Sequence, residues 1–182
     1  MGGTRLLGWL VGAAERESVD WDAVYQEELP RVYNFFRYRV GNPATAEDLT
    51  SLAFEKAWRA RRRYRRDRAA VSTWLLAIAR NVAIDHYRQP RIELPIGDAD
   101  VASDAAETPE TSAVRRSDLR RLETLMGGLP PRESELLALK FGAGATNRAI
   151  AKLTGLSESN VGTILHRTIA GLRAAWDTGG RS

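Results

Sequence analysis

A chain of 182 residues is long enough for one ordinary domain or two small ones. It holds no cysteine, which excludes disulfides, iron–sulfur clusters and thiolate zinc sites, and its two histidines, His86 and His166, are too far apart in sequence to suggest a metal centre. The net charge of +4 rests mostly on arginine, whose planar fork suits phosphates and base edges, so a polyanionic partner is favoured and no cofactor or metal is expected.

The amino-terminal run LLGWLVGAA, Leu6 to Ala14, follows Arg5 and loosely resembles a signal peptide. It is too short to span a bilayer, and AAERESVD is a poor cleavage site. Residues 1–19 therefore read as a short amphipathic or disordered extension, and the chain is expected to be cytoplasmic without membrane insertion. Helical periodicity then takes over, and no alternating strand is evident. Tyr25, Leu29, Val32, Tyr33 and Phe36 predict a first helix that stops at Gly41 to Pro43. Thr45 and Asp48 form a capping-box-like pair before a second helix with Ala46, Leu49, Ala53 and Ala57 on one stripe, and Phe54 and Trp58 beside it.

Next comes RARRRYRRDR, in which Arg59, Arg61, Arg62, Arg63, Arg65, Arg66 and Arg68 surround Tyr64. Composition alone reads this as a solvated charged face. The neighbouring helix changes the balance. It is expected to open with Ser72 or Thr73 as cap and to bury Leu75, Ile78, Ala79 and Val82. Opposite that stripe Trp74, Asn81 and Arg88 recur every seven residues, aligning an aromatic plane, an amide and a guanidinium. Such a set suits unstacked bases on a charged track, although Trp74 is equally readable as core.

From Pro90 to about Ser112 periodicity is lost, three prolines appear, and six acidic residues stand against one arginine, which reads as an acidic linker. Helices resume with Leu119, Leu122 and Met126, ending at Gly127-Gly128. LPPRESELLALKFG starts another, with proline in its first turn, and this one ends at Gly142. The fold class is therefore all-α, with two small helical domains, 20–89 and 114–176, a linker at 90–113 and a tail at 177–182.

NRAIAKLTGLSESNVGTILH, Asn147 to His166, fits a helix-turn-helix. Thr146 can cap its first helix and Ala151 lets the second approach closely. Gly155 suits a left-handed turn, and Ile150, Leu156, Val161 and Ile164 fall at the offsets that hold the pair together. Ser157 caps the second helix, whose outward residues are Glu158, Ser159, Asn160, Thr163, His166 and Arg167. Asn160 and Arg167 are candidates for base edges, Ser159 and Thr163 for phosphate. A plain helical hairpin is the bland reading of the same segment.

Together AEDLTSLAFEKAWRA, STWLLAIARNVAIDHYR and LPPRESELLALKFG, followed by the helix-turn-helix, resemble the bacterial sigma factors of the compact extracytoplasmic-function type over roughly Trp21 to Trp176. The resemblance implies a sigma-2-like domain that binds the clamp helices of the largest catalytic subunit of RNA polymerase and opens promoter DNA at the minus-ten element. It also implies a sigma-4-like domain for the minus-thirty-five element at the flap of the second-largest subunit. Trp74 then corresponds to the melting wedge, Asn81 to the pocket of a flipped non-template base, and Arg65 to Val71 to the loop closing over it. The implied minus-ten set is Arg65, Arg66, Arg68, Val71, Trp74, Asn81, Asp85 and Arg88. The implied minus-thirty-five set is Ser157, Glu158, Ser159, Asn160, Thr163, His166 and Arg167. The implied polymerase-binding set is Asp48, Ser51, Leu52, Glu55 and Lys56, and the linker would mimic RNA in the exit path. An anti-sigma partner is a habit of the family.

Two departures stand out. Many relatives carry Gln-Glu where this chain has Ser51-Leu52. The usual recognition helix also has basic residues at the positions of Gly162, Ile164 and Ile169, which predicts missing phosphate contacts and weak or altered minus-thirty-five binding. A stand-alone helix-turn-helix regulator is the competing reading, but it generally dimerises, and nothing here reads as a dimer element. An enzyme is disfavoured because Asp85-His86 is the only tempting pair, and adjacent residues on a helix point apart.

Overall fold

The computed structural model describes residues 19–88 and 109–179, and among these every regular element is helical. The amino-terminal extension and most of the acidic stretch lie outside the described residues. Helix α1 spans Trp21–Val40. Its N-cap is Asp20, which accepts from the amides of Asp22 and Ala23, and Gly41 closes it at φ 73°, where its N–H reaches the Arg37 carbonyl. Helix α2, Pro43–Ala60, starts earlier than expected. Its cap is Asn42, whose side chain accepts from the Thr45 amide, and Pro43 fills the first turn where no donor is needed. Thr45 and Asp48 thus lie inside the helix and do not cap it.

A single 3-10 turn, Arg61–Arg63, leads to α3, Val71–Arg88. Ser72 and Thr73 sit within the first turn of α3 rather than before it. Helix α4 covers Pro109–Gly127, so the last five residues of the expected 90–113 linker, Pro109 to Ala113, are helical. Helix α5, Pro131–Leu137, widens into a π turn over Ala138–Gly142. Helices α6, Asn147–Thr154, and α7, Glu158–Gly179, complete the chain.

Helix α1 is the central post. It packs against α2, α3, α5 and the π turn, so the two halves share one core. Val32, Phe35 and Phe36 are fully buried on it, among Ala46, Ala53, Leu75, Leu76 and Val82 on one side and Leu136, Ala138 and Leu139 on the other. Phe35 and Phe36 meet edge to face at 5.2 Å. Large apolar side chains removed from water stabilise by about 1.5–3 kcal/mol each, which makes this post the main source of cohesion.

Polar contacts fasten the same seam. Glu28, itself buried, holds Arg31 at 3.2 Å, and the Arg31 Nε donates to the Ala143 carbonyl at 2.9 Å. Arg39 reaches Ser134 Oγ at 2.9 Å, while Arg80 Nε meets Glu135 at 2.7 Å. Gly142 lies so close to α1 that an added Cβ would stand 2.7 Å from the Asn34 carbonyl oxygen. Glycine is required there by proximity, not by its φ angle.

Candidate nucleic-acid interface

The carboxy-terminal hairpin is built from its caps inward. Thr146 Oγ1 accepts from the Ala149 amide at 3.2 Å and starts α6. Gly155 adopts φ 74° in the left-handed region and its N–H closes on the Ala151 carbonyl at 2.9 Å. Ser157 Oγ then accepts from the Asn160 amide at 3.2 Å, opening α7. Ile150, Val161 and Leu165 are buried between the helices and set their angle. This leaves Glu158, Ser159, Asn160, Thr163, His166 and Arg167 exposed along one side of α7.

Several of these residues are already engaged. Ser157 spends its hydroxyl oxygen on the cap, and Thr163 donates to the Ser159 carbonyl at 3.1 Å. Arg167 bridges to Glu133 of α5 at 3.2 Å. Gly162, Ile164 and Ile169, where a loss of phosphate contacts is expected, are half-buried. Ile164 and Ile169 pack against the core, and a Cβ on Gly162 would meet Asn147 Nδ2 at 3.7 Å.

In the other half, Tyr64 explains how the arginine run is held. Its ring packs on Trp21 at 5.9 Å and on Trp74 at 5.2 Å, and its hydroxyl donates to the Ala69 carbonyl at 3.0 Å. The loop between the 3-10 turn and α3 is thereby pinned to an aromatic triad, with Arg65, Arg66 and Arg68 exposed outside it and Val71 half-buried beneath. Several arginines of the run are already engaged. Arg59 pairs with Glu55 at 2.5 Å, Arg61 stacks 3.8 Å from the Trp58 ring, and Arg65 pairs with Asp67 at 3.1 Å. The hydrogen bond from Arg65 lowers the Asp67 pKa below the usual carboxylate value, so that pair stays charged at neutral pH.

Trp74 is half-buried, with Trp21 at 5.8 Å and Tyr64 against it, so it packs on the core and keeps an accessible edge. Asn81, Asp85 and Arg88 are exposed further along α3. Asp85 meets Lys56 of α2 at 3.4 Å, which joins one residue of the minus-ten set to one of the polymerase-binding set. Asp48, Ser51, Leu52, Glu55 and Lys56 are all exposed on α2.

Sequence reading missed Trp21 and Tyr64 as the supports of Trp74, and Arg80, Glu135 and Gly142 as seam residues. A lone tyrosine inside a run of arginines was the available signal for the first; nothing in the local pattern marks the second. Among the described residues no cluster of His, Cys, Asp or Glu fits a metal ion, and no helix is long and apolar enough to cross a membrane.

The sequence profile of Sigma-70 region 2 matches residues 24–91, and that of Sigma-70 region 4 matches residues 119–170. The chain is similar to the ECF RNA polymerase sigma factor BldN of Streptomyces coelicolor, at 28% identity over 91% of this chain and 63% of that protein. It is also similar to the ECF RNA polymerase sigma factor SigM of Bacillus subtilis, at 27% identity over 87% of this chain and 96% of that one. Among solved structures, the sigma factor RpoE in complex with the anti-sigma factor NepR from Bartonella quintana matches with a TM-score of 0.67 at 18% identity, over 87% of this chain and 97% of that one. CnrH in complex with the cytosolic domain of CnrY matches with a TM-score of 0.59 at 24% identity, over 97% of this chain and 91% of that one. At such identities the two structures speak for the fold alone.

Proposed function

The chain belongs to the extracytoplasmic-function branch of the sigma-70 family, and on that premise we propose that it recruits core RNA polymerase to specific promoters and helps open them. What supports this reading is the coexistence of two surfaces of different kinds. One is a helix-turn-helix with an exposed recognition face, suited to a duplex major groove. The other is an arginine loop fixed beside half-buried Trp74, suited to separated strands. A stand-alone regulator would use the first and leave the second without a task.

In this mechanism Asn160 and Arg167 read base edges of the minus-thirty-five element, with Ser159, Thr163, His166, Glu158 and Ser157 lining the contact. Arg167 must leave Glu133 to do so. At the minus-ten element Arg65, Arg66, Arg68 and Arg88 hold phosphates, while Val71, Trp74, Asn81 and Asp85 receive unpaired bases. Extruding a base costs a few kcal/mol of stacking and pairing, which ring contact and amide hydrogen bonds offset. Asp48, Ser51, Leu52, Glu55 and Lys56 dock on the polymerase clamp, and the sigma-4-like half on the flap. Bond making belongs to the polymerase, and no catalytic step falls to this chain. It acts where the polymerase is, in the cytoplasm. Two solved proteins of this fold are each in complex with a partner protein, one of them an anti-sigma factor, and we extend such an inhibitor to this chain.

The test is to mix the purified chain with core polymerase and fragmented DNA of the source genome, then map transcript 5′ ends. Co-elution with the core and discrete new starts that share two sequence blocks are expected. Binding to duplex DNA without the core, and no new starts, would point to the regulator instead.

A further inference from the structure

Beside Trp74 the sigma-2-like half carries a cavity of about 220 Å³ between α1, α2 and the start of α3. Its walls are Trp21, Tyr25, Phe54, Trp58, Trp74 and Leu75, and its one charged lining residue is Asp22. Trp58 is 53% exposed and Tyr25 43%, unusual for large rings in a small helical bundle. An apolar hollow rimmed by polar residues marks a place for another apolar group. A cavity of about 150 Å³ already admits a benzene ring, so this one accommodates an indole.

We propose that the groove is the docking site of the chain's own amino-terminal segment, Leu6 to Val11, with the Trp9 indole as its anchor. Three observations select this occupant. The segment is apolar where the groove is apolar, and Leu6, Trp9 and Leu10 recur at i, i+3 and i+4 in its sequence. Arg5, directly before it, complements Asp22 at the groove. The tether also emerges in the right place, because α1 begins at Trp21, itself a wall of the groove. From Ala14 to Asp20 the chain can reach about 20 Å, enough to turn back onto the rim. Tethering at that range supplies an effective concentration on the order of millimolar, which a free partner rarely matches. The docked segment would cover the groove edge of Trp74; that consequence alone rests on the function proposed above, whereas the docking itself does not.

The absence of native cysteine makes the test clean. Gly8→Cys, between Leu7 and Trp9, is combined in the full-length chain with Arg61→Cys, which lies against Trp58, and treated with a short bis-maleimide. Gly8→Cys with Arg148→Cys, on the helix-turn-helix, serves as the comparison. Cross-linking within one chain is expected for the first pair and not the second, and Trp9→Asp should reduce it about tenfold, as loss of a buried indole implies. Circular dichroism confirms that the variants remain folded. Equal cross-linking of both pairs, or no effect of Trp9→Asp, would overturn the proposal. So would cross-links only between chains, which would instead assign the groove to a second copy. No polymerase or promoter enters the assay, so its result stands apart from the test of function.

Discussion

Tyr64 and Trp74 pack together beneath the arginine loop, and in the function proposed Trp74 also meets the DNA. The Tyr64 hydroxyl bonds the Ala69 carbonyl across the arginine loop, so Tyr64→Phe should lower stability by about 1 kcal/mol and speed proteolysis after Arg65 to Arg68. Trp74→Ala removes packing on two rings and should cost about 2 kcal/mol in thermal unfolding. Trp74→Phe keeps most of that packing. It should impair promoter opening yet spare binding to the polymerase, and equal loss of both would make Trp74 core alone. Asp67 restrains Arg65, and because its pKa is lowered the restraint persists until the pH falls through that depressed value, well into acid. Asp67→Asn should release Arg65 to phosphate and steepen the salt dependence of DNA binding by about one unit of log–log slope.

At the scale of elements, much was legible because helix periodicity and cap chemistry are local. Ala46, Leu49, Ala53 and Ala57 are all buried on α2 as their spacing requires, and Thr146, Gly155 and Ser157 frame the hairpin as their backbone preferences require. Local rules failed where two of them competed. Asn42 followed by Pro43 outranks the Thr45 and Asp48 pair, since proline leaves no amide to satisfy and asparagine reaches the third one. Asn42→Ala should cost about 1 kcal/mol, and Asp48→Ala almost none, in the same unfolding assay. The resemblance also set Ile164 and Ile169 where relatives carry basic residues, and both pack, partly buried, against the core. Asn160→Ala, on the outward face, should weaken specific duplex binding by about 1–3 kcal/mol and relax base preference there.

For the whole molecule the seam along α1 is decisive, and it was invisible in sequence because its partners lie about a hundred residues apart, such as Arg31 with Ala143. A compact chain of this length has a radius of gyration of about 16 Å and spans roughly 40 Å. The two promoter elements lie about 25 base pairs apart, roughly 85 Å of duplex at 3.4 Å per pair. On the proposed function the packed arrangement cannot touch both, so the halves are predicted to part when the polymerase is engaged. Gly142→Ala, which puts a methyl against the Asn34 carbonyl, should loosen the seam and enlarge the scattering radius of the free chain. Unchanged scattering would mean that the seam accommodates the methyl group.

Strand opening by the arginine loop and the Trp74 face is central to the proposed function, and permanganate reactivity of thymines at a mapped start site measures it most directly. Holoenzyme formed with this chain should render thymines of the minus-ten element reactive, and core polymerase alone should not. Thymines that stay protected while the holoenzyme is bound would contradict it.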